Sequence, residues 1–180
     1  MTLASYISCL RIVLIVPIIY LLDQGSSYHN YLAFVLFVVA GLTDYLDGYI
    51  ARKTDTETQL GALLDLIADK LLVSLIMVWL AYIEFSLLVA IPALMIVARE
   101  LVISTLRQYV IEKRGKKDLS VSFIGKSKTT IQIIAISMLI LAQEITSIYT
   151  LALIAIWFAA IFSLYSLFTY ISEWFRHYLN

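Results

Sequence analysis

Long apolar runs alternate with short polar stretches along the whole chain, and the runs can be placed near residues 7–22, 31–50, 62–82, 85–110, 124–142 and 147–172. Each is close to the roughly 20 residues that an α-helix needs to cross about 30 Å of hydrocarbon. Six such helices use nearly the whole chain. The pattern therefore predicts an all-α integral membrane protein with six transmembrane helices. No Pro-, Gly- or Ser-rich linker, repeat or low-complexity stretch interrupts it, so residues 1–180 are expected to form one transmembrane domain.

Composition sharpens this reading. Hydrophobic residues make up 62% of the chain and charged residues 14%, with a mean hydropathy of +0.91, whereas soluble domains carry about a quarter charged residues. No basic residue precedes the first apolar run, and Arg11 lies inside it. That run is expected to be a retained span and not a cleaved signal peptide. Formal net charge is zero, but lysine and arginine concentrate at Arg52-Lys53, in EKRGKKD from Glu112 to Asp118, and at Arg176. The connections around Asp23 to Asn30, Glu84 and Glu144 contain none. The positive-inside rule places those three outside and both termini in the cytoplasm. EKRGKKD reads as a solvated loop facing headgroups.

Some residues carry little chemistry. Cys9, the lone cysteine, cannot form an internal disulfide and reads as a small packing residue. His29, in an outer connection, and His177, near the C-terminus, read as solvated surface. The many tyrosine, phenylalanine and tryptophan residues suit a lipid-facing body and an interfacial belt.

The stretch TDYLDGYIARK, Thr43 to Lys53, is different, because it sets Asp44 and Asp47 one helical turn apart at the end of an apolar run. A second pair, Asp65 and Asp69 in GALLDLIADK, is spaced i, i+4 on one helix face. Charge inside lipid is costly unless something offsets it. The short polar connection from Lys53 to Gln59 is expected to bring the two helices side by side and antiparallel, so that four carboxylates converge near the cytoplasmic ends. Such a cluster calls for a cation, and its oxygen donors suit a hard ion such as Mg²⁺, Mn²⁺ or Ca²⁺. Gly48 and Gly61, each four residues from an aspartate, would let a ligand approach the backbone. With Ala51 and Arg52 they point to a phosphate-bearing ligand. Taken singly, any of these aspartates would read as a cap or solvated group, and either glycine as a close helix contact; their fixed offsets argue otherwise.

Basic residues supply a second clue. Arg99 and Arg107, in ARELVISTLRQ, lie about two turns apart on one helix face. Lys126 and Lys128, in GKSKTT, open the fifth span, where free N–H groups also favour an anion. Together they suit a phosphorylated acceptor. The plainer alternatives are a pairing of Arg99 with Glu100 and a positive-inside anchor for the lysines.

The segment running from Asp44 through Asp47, Gly48, Ala51 and Arg52 to Gly61, Asp65 and Asp69 resembles the signature of the CDP-alcohol phosphotransferase family, D-x2-D-G-x2-A-R-x8-G-x3-D-x3-D, at every fixed position. The resemblance implies six transmembrane helices, a homodimer, and an active site opening at the cytoplasmic face of the inner membrane. It implies Asp44, Asp47, Asp65 and Asp69 as ligands of Mg²⁺ or Mn²⁺, with Asp69 also the general base. Gly48, Ala51, Arg52 and Gly61 would line the nucleotide pocket beside the aspartates. Within the family, ARE…LR followed by GK-x-KT is similar to members that join CDP-diacylglycerol to sn-glycerol 3-phosphate and release CMP, with Arg99, Arg107, Lys126 and Lys128 toward the acceptor phosphate. The expected partners are those substrates, membrane lipid and a second copy of the chain, with no nucleic acid. Two departures stand out: Ser5 and Ser8 occupy positions usually Asn and Thr, although Arg11 is retained, and Leu66 replaces a usual proline. Inositol phosphate is the alternative acceptor, and a divalent-cation transporter the alternative of another class.

Overall fold

A computed structural model describes the backbone of residues 3–54, 59–114 and 123–179, and the side chains of residues 6–43, 61, 63–106, 108–109 and 129–172. Among the described residues the chain forms helices and no strand. These are α1 (Leu3–Gln24), α2 (Ser27–Thr54), α3 (Gln59–Glu84), α4 (Leu87–Arg114), α5 (Phe123–Ala142) and α6 (Tyr149–Leu179), with a short 3₁₀ turn at Thr146–Ile148. The segments Tyr6–Gln24, Leu63–Glu84, Leu87–Leu106 and Thr146–Ser172 are long and apolar enough to cross a membrane, and Ser27–Thr43 and Thr129–Ala142 are shorter apolar segments.

The first three helices overrun their apolar runs at both ends, and α4 and α6 run on past the C-terminal ends of theirs, because hydropathy marks the apolar part of a helix whose backbone hydrogen bonding continues into polar sequence. The break between α3 and α4 falls at Phe85-Ser86, just inside the run expected from residue 85. Phe85 ends α3 with φ +46°, a left-handed conformation costly for a residue with a Cβ. Ser86 then starts α4: its Oγ accepts from the Leu88 N–H at 3.3 Å, and its carbonyl accepts from Val89 and Ala90 at 3.1 and 2.9 Å.

Buried Ile18, Phe37, Ile76, Leu80, Ile96, Ile136, Ile140 and Ile156 draw every helix into one core. In this packing α1 lies against α2 and α3, α5 against α2, α3 and α6, and α4 against α3 and α6. Direct contact between α2 and α3 is slight among the described residues, where α1 packs against both and α5 touches both; the side chains from Asp44 to Leu60, where the two helices are expected to meet, lie outside those residues. Small residues allow close approach between helices. At Gly41 of α2, a Cβ would lie 3.0 Å from the Ile133 side chain of α5.

Three turns are tied together at one end. Asn30 Nδ2 donates to Glu144 Oε1 at 2.7 Å, Gln143 Nε2 donates to Glu84, and the Tyr149 hydroxyl donates to Glu84 Oε2 at 2.9 Å. These contacts join the α1–α2, α3–α4 and α5–α6 turns, the same three connections that the charge pattern groups. Asp65 sits 19 residues before Glu84 on α3, about 28 Å along the helix axis. The acidic positions of α3 thus lie toward the opposite end.

Candidate active site

Asp65 and Asp69 project from one face of α3, one turn apart, and both are partly exposed. Gly61, one turn earlier, is buried. Asp65 is 45% exposed, and its Oδ1 accepts from Arg11 Nη1 at 3.4 Å and from Ser8 Oγ at 3.5 Å. Both donors stand one turn apart on α1 and are almost completely buried. The arginine noted inside the first apolar run is thereby explained: the chain places its charge against a carboxylate of α3.

Asp69 faces a small cleft among α3, α4 and α5, lined also by Lys70, Val73, Glu100, Thr129 and Gln132. A buried polar network continues from this cleft through the bundle. Lys70 Nζ donates to Ser104 Oγ, and Ser104 Oγ donates to the Glu100 carbonyl at 2.5 Å. Arg99 donates through Nη1 to Glu100 Oε1 at 3.1 Å, through Nε to the Ser163 carbonyl at 3.2 Å, and through Nη2 to Ser166 Oγ at 3.0 Å. Gln132 Nε2 donates to Ser163 Oγ at 3.4 Å. Arg99 therefore bridges α4 to α6, and a phosphate reaching it would have to displace Glu100 or Ser166. This is the pairing with Glu100 that the sequence offers as its alternative, extended by contacts to α6 that no local spacing could announce.

Asp44, Asp47, Gly48, Ala51 and Arg52 fall on the α2 backbone, and their side chains lie outside the described residues, as do those of Arg107, Lys126, Lys128 and His177. Among the described residues, no group of three or more His, Cys, Asp or Glu side chains could hold a metal ion. The two aspartates of the signature that are described do fit one: they offer hard oxygen donors on one face, and the recorded contacts of Asp65 fall on Oδ1 alone. At the opposite end, His29 contacts Ser26 through Nδ1 and stacks edge-on against Tyr28, remote from the aspartates. Cys9 is a half-buried free thiol on α1. Sequence reasoning named Arg11 and Glu100 without giving them a place in the site and missed Gln132; a charge within a span and a polar group in an apolar helix are the signals that could have done so.

Apolar helices joined by short turns, with paired carboxylates toward one end and buried basic residues behind them, define a helical membrane-type protein with an acidic site. The chain belongs to the CDP-alcohol phosphatidyltransferase family, whose profile matches residues 1–165. It is 36% identical over 169 residues to the CDP-diacylglycerol–glycerol-3-phosphate 3-phosphatidyltransferase of Escherichia coli strain K12, covering 93% of this chain and 92% of the relative. Proteins of the same name from Shigella flexneri serotype 5b and Shigella boydii serotype 4 are 35% identical over the same length. Family membership takes the place of the cation-transporter reading.

Proposed function

We propose that this protein transfers the phosphatidyl group of CDP-diacylglycerol to a hydroxyl of sn-glycerol 3-phosphate, giving phosphatidylglycerophosphate and CMP. The observation that carries this reading is the near full-length relationship to transferases bearing that activity's name, with all four signature aspartates in place. Asp69 takes the acceptor's hydroxyl proton. The acceptor oxygen then bonds to the phosphorus that bears the diacylglycerol, and the bond from that phosphorus to the CMP oxygen breaks. Asp44, Asp47, Asp65 and Asp69 would hold Mg²⁺ or Mn²⁺, which would supply positive charge against the pyrophosphate and the departing CMP. Gly48, Ala51, Arg52 and Gly61 receive the nucleotide. Arg107, Lys126 and Lys128 attract the acceptor phosphate, Arg99 joins them where the phosphate displaces Glu100 or Ser166, and Arg99 also ties α4 to α6.

In this reading all six helices cross the inner membrane, both termini and the acidic end face the cytoplasm, and the chain works as a homodimer. The test is CMP release by purified protein with CDP-diacylglycerol and Mg²⁺ or Mn²⁺, offered glycerol 3-phosphate, inositol phosphate, inositol or serine separately. Release with glycerol 3-phosphate alone is expected. Release only with inositol phosphate would keep the mechanism and replace the acceptor. Asp69→Asn should lower turnover by about 10²-fold or more while the helical circular dichroism signal persists; wild-type turnover in this variant would remove Asp69 from the role of base.

A further inference from the structure

The transferase signature lies wholly on α2 and α3, yet α1 reaches into it. Arg11 is 1% exposed, and an arginine held inside an apolar helix is expensive enough to be kept only where it acts. Ser8, one turn earlier, is equally buried. Both side chains approach the same oxygen, Oδ1 of Asp65, while the carboxylate as a whole remains nearly half exposed. The platform is firm, because Ile15, Ile18 and Leu22 of α1 share one buried cluster with Leu72, Ile76 and Leu80 of α3.

Building on the transferase reading above, we propose that Ser8 and Arg11 are positioning residues for Asp65: they hold Oδ1 and fix the carboxylate's rotamer, so that Oδ2 is the oxygen presented to a divalent cation. Ligand carboxylates are commonly oriented by hydrogen bonds of this kind, and loss of one typically costs 10–100-fold in metal affinity. The guanidinium also offsets part of the repulsion between Asp65 and Asp69, one turn apart on α3, so α3 can hold the pair ready before a cation arrives. Serine at position 8 suffices, since the role asks only for a hydroxyl.

The test keeps the charge and changes the geometry. Full-length wild type, Arg11→Lys and Ser8→Ala are purified in detergent, and Mn²⁺ binding is measured without lipid substrate from the electron paramagnetic resonance signal of free Mn²⁺, alongside thermal unfolding. Arg11→Lys and Ser8→Ala should each weaken Mn²⁺ binding by about 10-fold. CMP release should need correspondingly more Mn²⁺ in each variant. A purely structural pair would lower the melting temperature and leave the Mn²⁺ dissociation constant of the folded protein unchanged, which would overturn the proposal. Should Arg11→Lys fail to fold, Ser8→Ala decides the matter alone by the same criterion. A wild type that releases CMP alongside variants of unchanged affinity would remove only this inference; a wild type that neither binds Mn²⁺ nor releases CMP would remove the transferase reading with it.

Discussion

Arg99 and Glu100 are neighbours in sequence and both almost completely buried, and their ion pair is braced by Ser163 and Ser166 from another helix. Removing one member of a buried pair costs about 3–5 kcal/mol, because its partner's charge stays behind in a place that solvates it poorly. Arg99→Leu should therefore lower unfolding stability by several kcal/mol in detergent, and Arg99→Leu with Glu100→Leu should recover much of the loss. A single variant as stable as wild type would mean that the pair does not brace α4 to α6. Packing makes a second prediction: at Gly41 a Cβ would meet Ile133 at 3.0 Å, which works against the about 1 kcal/mol of helix propensity that Gly41→Ala gains, so in thermal unfolding Gly41→Ala should be better tolerated beside Ile133→Val than beside Ile133. At this scale the sequence was most readable where spacing is local. The aspartate pairs and the Arg99–Glu100 adjacency are visible by inspection. The grip of Arg11 and Ser8 on Asp65 spans more than fifty residues of chain, and no periodicity encodes it.

Helices were legible as elements because each has an apolar middle, but not their ends, which lie in polar sequence that hydropathy ignores. The turn at Phe85 shows the limit well. Chains commonly leave a helix through glycine, and here a phenylalanine takes the left-handed conformation instead. The tied turns at that end of the molecule make a pH prediction. Hydrogen bonds from Ser27 and Asn30 hold the Glu144 carboxyl below its ordinary range. A carboxyl depressed on folding stabilises the fold at pH above its unfolded pKa, and that contribution disappears as pH falls through the lower folded value. Melting temperature followed from about pH 6 to about pH 3 should fall more for wild type than for Glu144→Gln, with the two curves converging at the acid end. Parallel curves would mean that the carboxylate contributes nothing to holding α2 against the α5–α6 turn.

For the molecule as a whole, the three tied turns and the acidic positions of α3 occupy opposite ends, and the charge pattern assigns the turns to the outside. In a Cys9→Ser background, Ser26→Cys and Ser147→Cys should react with a membrane-impermeant maleimide in intact cells. Thr56→Cys should react only after permeabilisation; the reverse pattern would turn the aspartates to the outer face. The order of helices along the chain was readable from sequence, whereas the packing of α1 against both α2 and α3 was not, because no periodicity tells one apolar face which other it will meet. The buried arginine of α1 has a consequence for how a cell makes the protein. Synthesis runs from the N-terminus, so α1 enters the bilayer carrying a guanidinium whose Asp65 counter-charge is still inside the ribosome. An arginine at the centre of a lone helix costs about 2.5–3.5 kcal/mol on insertion scales, and Arg11, in the first half of the Tyr6–Gln24 segment, bears part of that cost. The first helix is therefore inserted before its charge has a partner, and the arrival of α3 supplies one in Asp65.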